Sequence, residues 1–223
     1  GSGTWALNNV TVSKSSSSVY YVDVQASGFE AAIHDLSITL GTYIHNNSST
    51  YSVNSYGSSA FTVGQDVVVK VNQGTLWLSQ NADDVILNGS IVVNGGTLKC
   101  GSTAGNTGIR YDKTGTAIPK IDLQSGAIEV FGGISYKSGA SADPMQFTMS
   151  GGTLTLNSGS TGTAAGLLQI NDVSASIFSM SEGTILFQQP NTTGTSVSDF
   201  TLCTSSGTVT AIGGITQFGN ELT

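Results

Sequence analysis

One short pattern recurs along this chain and limits what it can fold into: a hydrophobic residue, two others, then Gly, Thr, hydrophobic, any residue, hydrophobic. Its best copies span residues 71–78 (VNQGTLWL), 93–100 (VNGGTLKC), 149–156 (MSGGTLTL) and 180–187 (MSEGTILF). Residues 123–130 (LQSGAIEV) carry Ala for Thr, residues 207–211 (GTVTA) keep only the second half, and residues 3–7 (GTWAL) open the chain in the same way. The motif glycines, Gly74, Gly96, Gly126, Gly152, Gly183 and Gly207, stand 22, 30, 26, 31 and 24 residues apart. Helical repeats hold a nearly fixed length because helix pairs must pack in register, whereas a coil of β-strands fixes its strands and lets the connections vary. The repeating unit is therefore expected to be one rung of such a coil.

Within each copy the hydrophobic residues alternate with period two, so Leu76 and Leu78, Leu98 and Cys100, Leu154 and Leu156, and Ile185 and Phe187 face one side, the interior. Leu76, Leu98, Ile128, Leu154, Ile185 and Val209 are expected to stack in one inward column, neighbours about 4.8 Å apart. Outward positions after the glycine read Thr4, Thr75, Thr97, Thr153, Thr184 and Thr208, interrupted by Ala127. Stacked threonines suit adjacent strands on a solvated face. The next outward column, Ala6, Trp77, Lys99, Glu129, Thr155, Leu186 and Thr210, has no common chemistry. Only two copies pair both threonines, which argues against a flat ice-binding array.

Composition fits strands. Charged residues make up 9% of the chain, too few for helices, whose solvated faces normally carry Glu and Lys. The 38% hydrophobic content, periodically placed, supplies the apolar surface that a disordered chain lacks. The expected fold is all-β: one parallel β-solenoid over residues 1–223, a right-handed β-helix with rungs clearest from 61 to 211. The alternative is a β-sandwich. Before Phe61 strand character is evident at Val10, Val12 and residues 20–24, 33–40 and 51–53, but the sequence leaves their register open. Segments 15–18, 46–50, 101–108 and 157–166 read as polar loops.

The net charge of −7 comes with only seven Lys and Arg, scattered singly, so there is no basic patch for nucleic acid or an anionic membrane. No apolar run is long enough to span a bilayer as a helix. Cys100 and Cys203 are too few for a disulfide framework and read as small buried hydrophobes. Four motif copies at about 4.8 Å each separate them, well beyond the roughly 7 Å that a disulfide allows between Cα atoms.

The repeat resembles the β-helical repeats of large exported bacterial surface proteins, including autotransporter and filamentous-haemagglutinin-like adhesins. The GSGTW opening is similar to repeats in giant surface proteins of gliding Bacteroidota. The resemblance covers roughly residues 74–207. It implies an extracellular location at the bacterial cell surface, and a non-enzymatic rod-like or adhesive segment. Its partners would be neighbouring domains of the same long chain and a surface glycan or host substratum, and it brings no catalytic residues with it.

Parallel β-helices also include polysaccharide lyases and hydrolases, so a carbohydrate-active module is the alternative function. Such enzymes need several acidic side chains on neighbouring rungs, with cations to neutralise substrate. Asp112, beside Arg110 and Lys113, is the best polar cluster; Asp83 and Asp84 are adjacent and point apart if extended. His34 with Asp35, and His45, supply too few ligands for a metal, and no cofactor is implied. The serines sit in no GxSxG elbow. Aromatic side chains concentrate early, at Tyr20, Tyr21, Tyr43, Tyr51 and Tyr56, and are the candidate ligand-binding residues, because their faces stack on sugar rings.

Overall fold

The computed structural model describes residues 4–12, 21–24, 30–38, 40–53, 60–80, 83–102, 107–137, 139–156, 168–188 and 200–219, with side chains from Ile38 onward. Gly1 and Thr223, expected at opposite ends of the coil, lie outside the described residues, as do the segments 15–18 and 157–166 expected to be loops. Everything described is strand, turn or connection. One sheet holds β1 (Thr4–Val12), β2 (Tyr21–Val24), β3 (Glu30–Ile38), β4 (Gly41–Val53), β6 (Val67–Leu78), β8 (Ser90–Cys100), β10 (Lys120–Val130), β12 (Gln146–Leu156), β14 (Ile177–Phe187), β16 (Thr208–Ala211) and β17 (Ile215–Phe218). A second sheet holds the short strands β5 (Phe61–Val63), β7 (Val85–Leu87), β9 (Ile109–Tyr111), β11 (Ile134–Tyr136), β13 (Leu168–Gln169) and β15 (Phe200–Thr201).

From β5 to β15 short and long strands alternate along the chain, and each pairs with its equivalent one unit on, always parallel. A sandwich of antiparallel sheets therefore does not describe this chain. The architecture is a parallel solenoid-like stack in which one rung comprises a short strand, a long strand and their connections.

From β6 to β14 each long strand is two limbs joined at a glycine. In β8 the buried residues are Ile91 and Val93, then Leu98 and Cys100. The parity switches from odd to even across Gly96, so side chains on both limbs face the same interior only if the strand bends there. The same set recurs as Val69, Val71, Leu76 and Leu78 around Gly74, and as Phe147, Met149, Leu154 and Leu156 around Gly152, all buried. The corner glycines Gly74, Gly96, Gly126, Gly152, Gly183 and Gly214 all have positive φ, from 46° to 91°. Close approach adds to the requirement: a Cβ on Gly126 would land on the carbonyl oxygens of Gly95 and Gly96 in the rung below. Only glycine fits both demands.

The inward column Leu76, Leu98, Ile128, Leu154, Ile185 is in register from strand to strand, as the repeat implies. Val209 is not its sixth member. Val209 pairs with Phe178 on the first limb, and Ile185 pairs with Thr216 of β17. The final corner is therefore Gly214, 31 residues after Gly183, and Gly207 only precedes the first limb. The sequence suggests otherwise because GTVTA matches the second half of the motif, while the true corner, AIGGITQF, has Ile where the others have Thr or, at residue 127, Ala. For the same reason Thr208 leaves the threonine column and Thr210 the one beside it; Ile215 and Gln217 continue them.

The other departure is at residues 46–50, expected to be a loop. They lie inside β4, where His45 pairs with Val71 and Thr50 with Thr75, five residues against four. The extra residue turns the corner without a glycine. Tyr43, His45 and Tyr51 consequently occupy the inward positions held by Val69, Val71 and Leu76 in the next rung.

Cys100 and Cys203 are both unbridged and buried, with the corners of Gly126, Gly152 and Gly183 between their rungs. Intact-mass measurement after denaturing alkylation without reductant is expected to show two modified thiols; a single intramolecular bridge would contradict the rung order. Gly126→Ala is expected to cost about 2–5 kcal/mol in urea unfolding, the left-handed penalty plus the clash below it. Gly139 has φ 90° but open space around its missing Cβ, so Gly139→Ala should cost only the conformational part, about 1–2 kcal/mol.

Candidate functional site

The densest cluster of charged side chains lies on the outer side of the short-strand sheet. Strands β7, β9 and β11 bury their first residues, Val85, Ile109 and Ile134, and turn the middle ones outward, so Ile86, Arg110 and Ser135 align across three rungs. Arg110 donates from Nη1 to Ser135 Oγ at 2.8 Å, and its Nε lies 3.3 Å from Asp84 Oδ1. The same Asp84 oxygen accepts the Gly108 N–H at 2.7 Å. Asp112 pairs with Lys137 of the following rung at 2.9 Å. Lys113 contributes its backbone, donating N–H to Asp143 at 2.7 Å.

The sequence groups Asp112 with Arg110 and Lys113 because they are adjacent; the structure pairs each with a residue 25 to 30 positions away. Every carboxylate described in this cluster is met by a cation or a backbone N–H. Such an arrangement ties neighbouring rungs together. Behind it Tyr111 is buried, its hydroxyl accepting the Asn171 N–H at 3.1 Å, and Asn171 Nδ2 donates to the Ala140 and Asp143 carbonyls at 3.2 and 3.0 Å. Burial pushes the Tyr111 phenol upward, which keeps it neutral.

The tyrosines fare differently from the sequence expectation. Tyr43 and Tyr51 are 2% and 7% exposed, so their rings fill the interior and offer no face to a sugar. Tyr21 is in β2 with its backbone alone described, and Tyr20 and Tyr56 lie outside the described residues. Period-two alternation would have placed Tyr43 and Tyr51 inward had the corner at residues 46–50 been recognisable.

A partly exposed aromatic ring stands on the second limb at Trp77. Trp77, half-buried, stacks on Phe131 with ring centroids 5.3 Å apart and planes 14° from parallel, and donates its indole N–H to the Gly101 carbonyl at 2.8 Å. Lys99 Nζ lies 5.8 Å from the Trp77 ring centre and 2.9 Å from Glu129 Oε2. Trp77, Lys99 and Glu129 are register neighbours on three successive rungs. Their shared outward column was visible in the sequence; the contribution of Phe131, just past the second limb, was not.

Among the described residues no three His, Cys, Asp or Glu side chains form a group that could hold a metal ion. His45 is fully buried, and the side chain of His34 is not described. Comparison with protein-family models, with curated proteins and with solved structures gave no match for this chain.

His45 generates a pH prediction. Its Nε2 donates to the Ser49 carbonyl at 3.3 Å, Nδ1 has no partner, and the ring meets Tyr51 edge-on at 5.0 Å. Burial lowers its pKa below the ordinary 6.5. The unfolded chain then takes up this proton at a higher pH than the folded one, so stability contributed by neutral His45 declines as pH drops below about 6.5. His45→Val, the residue of the next rung, should match or exceed the wild type near neutrality and lose less stability between pH 7 and pH 5. Urea midpoints measured across that range check the slope; parallel curves for both proteins would remove His45 as the cause.

Proposed function

We propose that this chain is a non-enzymatic, rod-like segment of an exported bacterial surface protein, a right-handed β-helix that extends or displays an adhesive surface. The observation that carries the reading is the parallel pairing through successive rungs, in which each glycine-cornered long strand adds four inward side chains, and the short strands more, to one continuous core. A coil built this way lengthens without a globular centre and resists bending because every rung is hydrogen-bonded to the next. Its outer faces carry few charges, which limits nonspecific ionic attachment. Right-handed winding is the sense that parallel crossovers almost always take.

The second reading, a carbohydrate-binding module, draws on half-buried Trp77, backed by buried Phe131, with Lys99 and Glu129 beside it. An aromatic face flanked by hydrogen-bonding charges is the chemistry that sugar recognition uses. A glycan array combined with a reducing-sugar release assay separates the readings. The rod reading predicts no turnover of any glycan. Binding abolished by Trp77→Ala, without turnover, would make the segment itself adhesive; turnover abolished by Asp112→Ala would overturn the non-enzymatic assignment.

A further inference from the structure

The corner that leads from the short sheet into the long one is built differently in the middle of the coil. Residues 112–119 and 170–176 make this connection at β10 and β14, whereas β5 reaches β6 through residues 64–66 and β7 reaches β8 through 88–89 alone. The shorter of these lies flat on its neighbour. Asn88 and Gly89 both donate their N–H to the Val63 carbonyl, and a Cβ on Gly89 would strike the carbonyl oxygens of Gly64 and Val67. Two short connections in succession leave a cleft of about 390 Å³ at this corner, within the range of small-molecule sites.

Its floor is a strip of outward side chains, Thr42, Val68 and Ser90, which are register partners on β4, β6 and β8. One apolar side chain thus lies between two hydroxyls, on strands about 4.8 Å from one another. Leu40 adds apolar surface, and Gln65 and Asp66 of the 64–66 turn supply the polar lining. The turn is held in place: the Asp66 carbonyl accepts the Gly41 N–H at 3.0 Å, and the Gln65 amide oxygen lies against Gly115 of the 112–119 connection. Asp66 also differs from the other acids. Asp84, Asp112, Asp122 and Glu129 each face a Lys or Arg, and Asp143 and Asp172 accept backbone N–H groups. Among the described residues the Asp66 carboxylate has only the Gln65 Nε2–H, at 3.3 Å. Most of its capacity to accept hydrogen bonds is therefore free for a ligand.

We propose that this cleft is a subsite for one uncharged pyranose unit of a glycan. It is separate from the Trp77 site, since Val68 and Trp77 stand near opposite ends of β6. The C–H face of the ring rests on Val68 and Leu40, while Thr42 and Ser90 exchange hydrogen bonds with hydroxyls at its two edges. Asp66 accepts from two neighbouring hydroxyls, the charge-assisted bond that fixes orientation. The same carboxylate repels uronic acids and sulfated sugars. A lone carboxylate is too little for a calcium ion, whose sites gather six to eight oxygens.

Amide chemical shifts of the isotope-labelled chain, followed while the methyl glycosides of glucose, galactose, mannose and glucuronic acid are added in turn, test this. A neutral glycoside is expected to move the amides of Thr42, Asp66, Val68 and Ser90 along a saturating curve, and the glucuronide to leave them in place. Asp66→Ala should weaken that binding about tenfold or more. Should that variant disturb the turn, Val68→Lys fills the floor from the strand itself and should abolish binding with an unchanged far-UV circular dichroism spectrum; Lys70, two residues on, already occupies an outward position of β6. The proposal fails if none of the neutral glycosides moves these amides, if the glucuronide binds equally well, or if Asp66→Ala binds like the wild type. A response confined to the amides of Trp77 and Lys99 also overturns it, and leaves the Trp77 reading standing. Calcium chloride shifting the Asp66 amide where no glycoside does would replace the sugar with a cation.

Discussion

Pairing between parallel strands one rung apart governs everything else in this molecule. Once residue Leu98 is opposite Leu76 and Ile128 opposite Leu98, period-two alternation leaves no freedom over which side chains enter the core. The corner must then reverse the phase of that alternation at the same point in every rung. It does so where successive backbones pass so close that Gly126 sits over the carbonyls of Gly95 and Gly96. The four inward positions, two on each limb, follow from these two conditions, and so does the tolerance for connections of different length, which lie outside the paired region.

That hierarchy explains what could be read from the sequence. The second limb was legible because glycine, threonine and two alternating hydrophobic residues follow one another with fixed spacing. The short strands were not: β9 and β13 contribute two or three residues each to the sheet, at varying distances from the corner, and nothing marks Ile109 or Leu168 as strand residues in isolation. Misreading Gly207 as a corner arose from a chance repeat of Gly-Thr-hydrophobic, which only the pairing of Val209 with Phe178 corrects. In β4 the signal itself is missing, because an added residue takes the place of glycine, and the tyrosines on either side were left without a face. Charge pairs were the least legible: Asp112 meets Lys137 across rungs, so adjacency along the chain pointed to the wrong partners.

The polar groups inside and outside the coil carry different consequences. On the short-strand face, partly exposed Asp84 and Arg110 and buried Ser135 link three consecutive rungs, where the ion pair adds little stability but fixes register. Within the core, Tyr43 and His45 leave a hydroxyl and a ring nitrogen unpartnered, a cost of about 1–3 kcal/mol for each such group. The valines that replace them in the next rung incur none. The rung formed by β4 thus holds two such groups at inward positions, while Asn72 and Asn88 each leave one side-chain oxygen unpartnered among the described residues further on.

The varying connections between rungs have a mechanical meaning. Backbone hydrogen bonds in this coil run along its axis, so tension applied between its ends is transmitted through every rung interface in series and each joint bears the full load. Strength is then set by the thinnest joint and not by the number of rungs. Along the described chain the register partners are fewest at β4, which meets β3 through three and β2 through four, against nine between β12 and β14. A pulled molecule would part first at such a joint, and each rung released after it would pay out a length fixed by its own connection, giving a force trace whose steps differ in size.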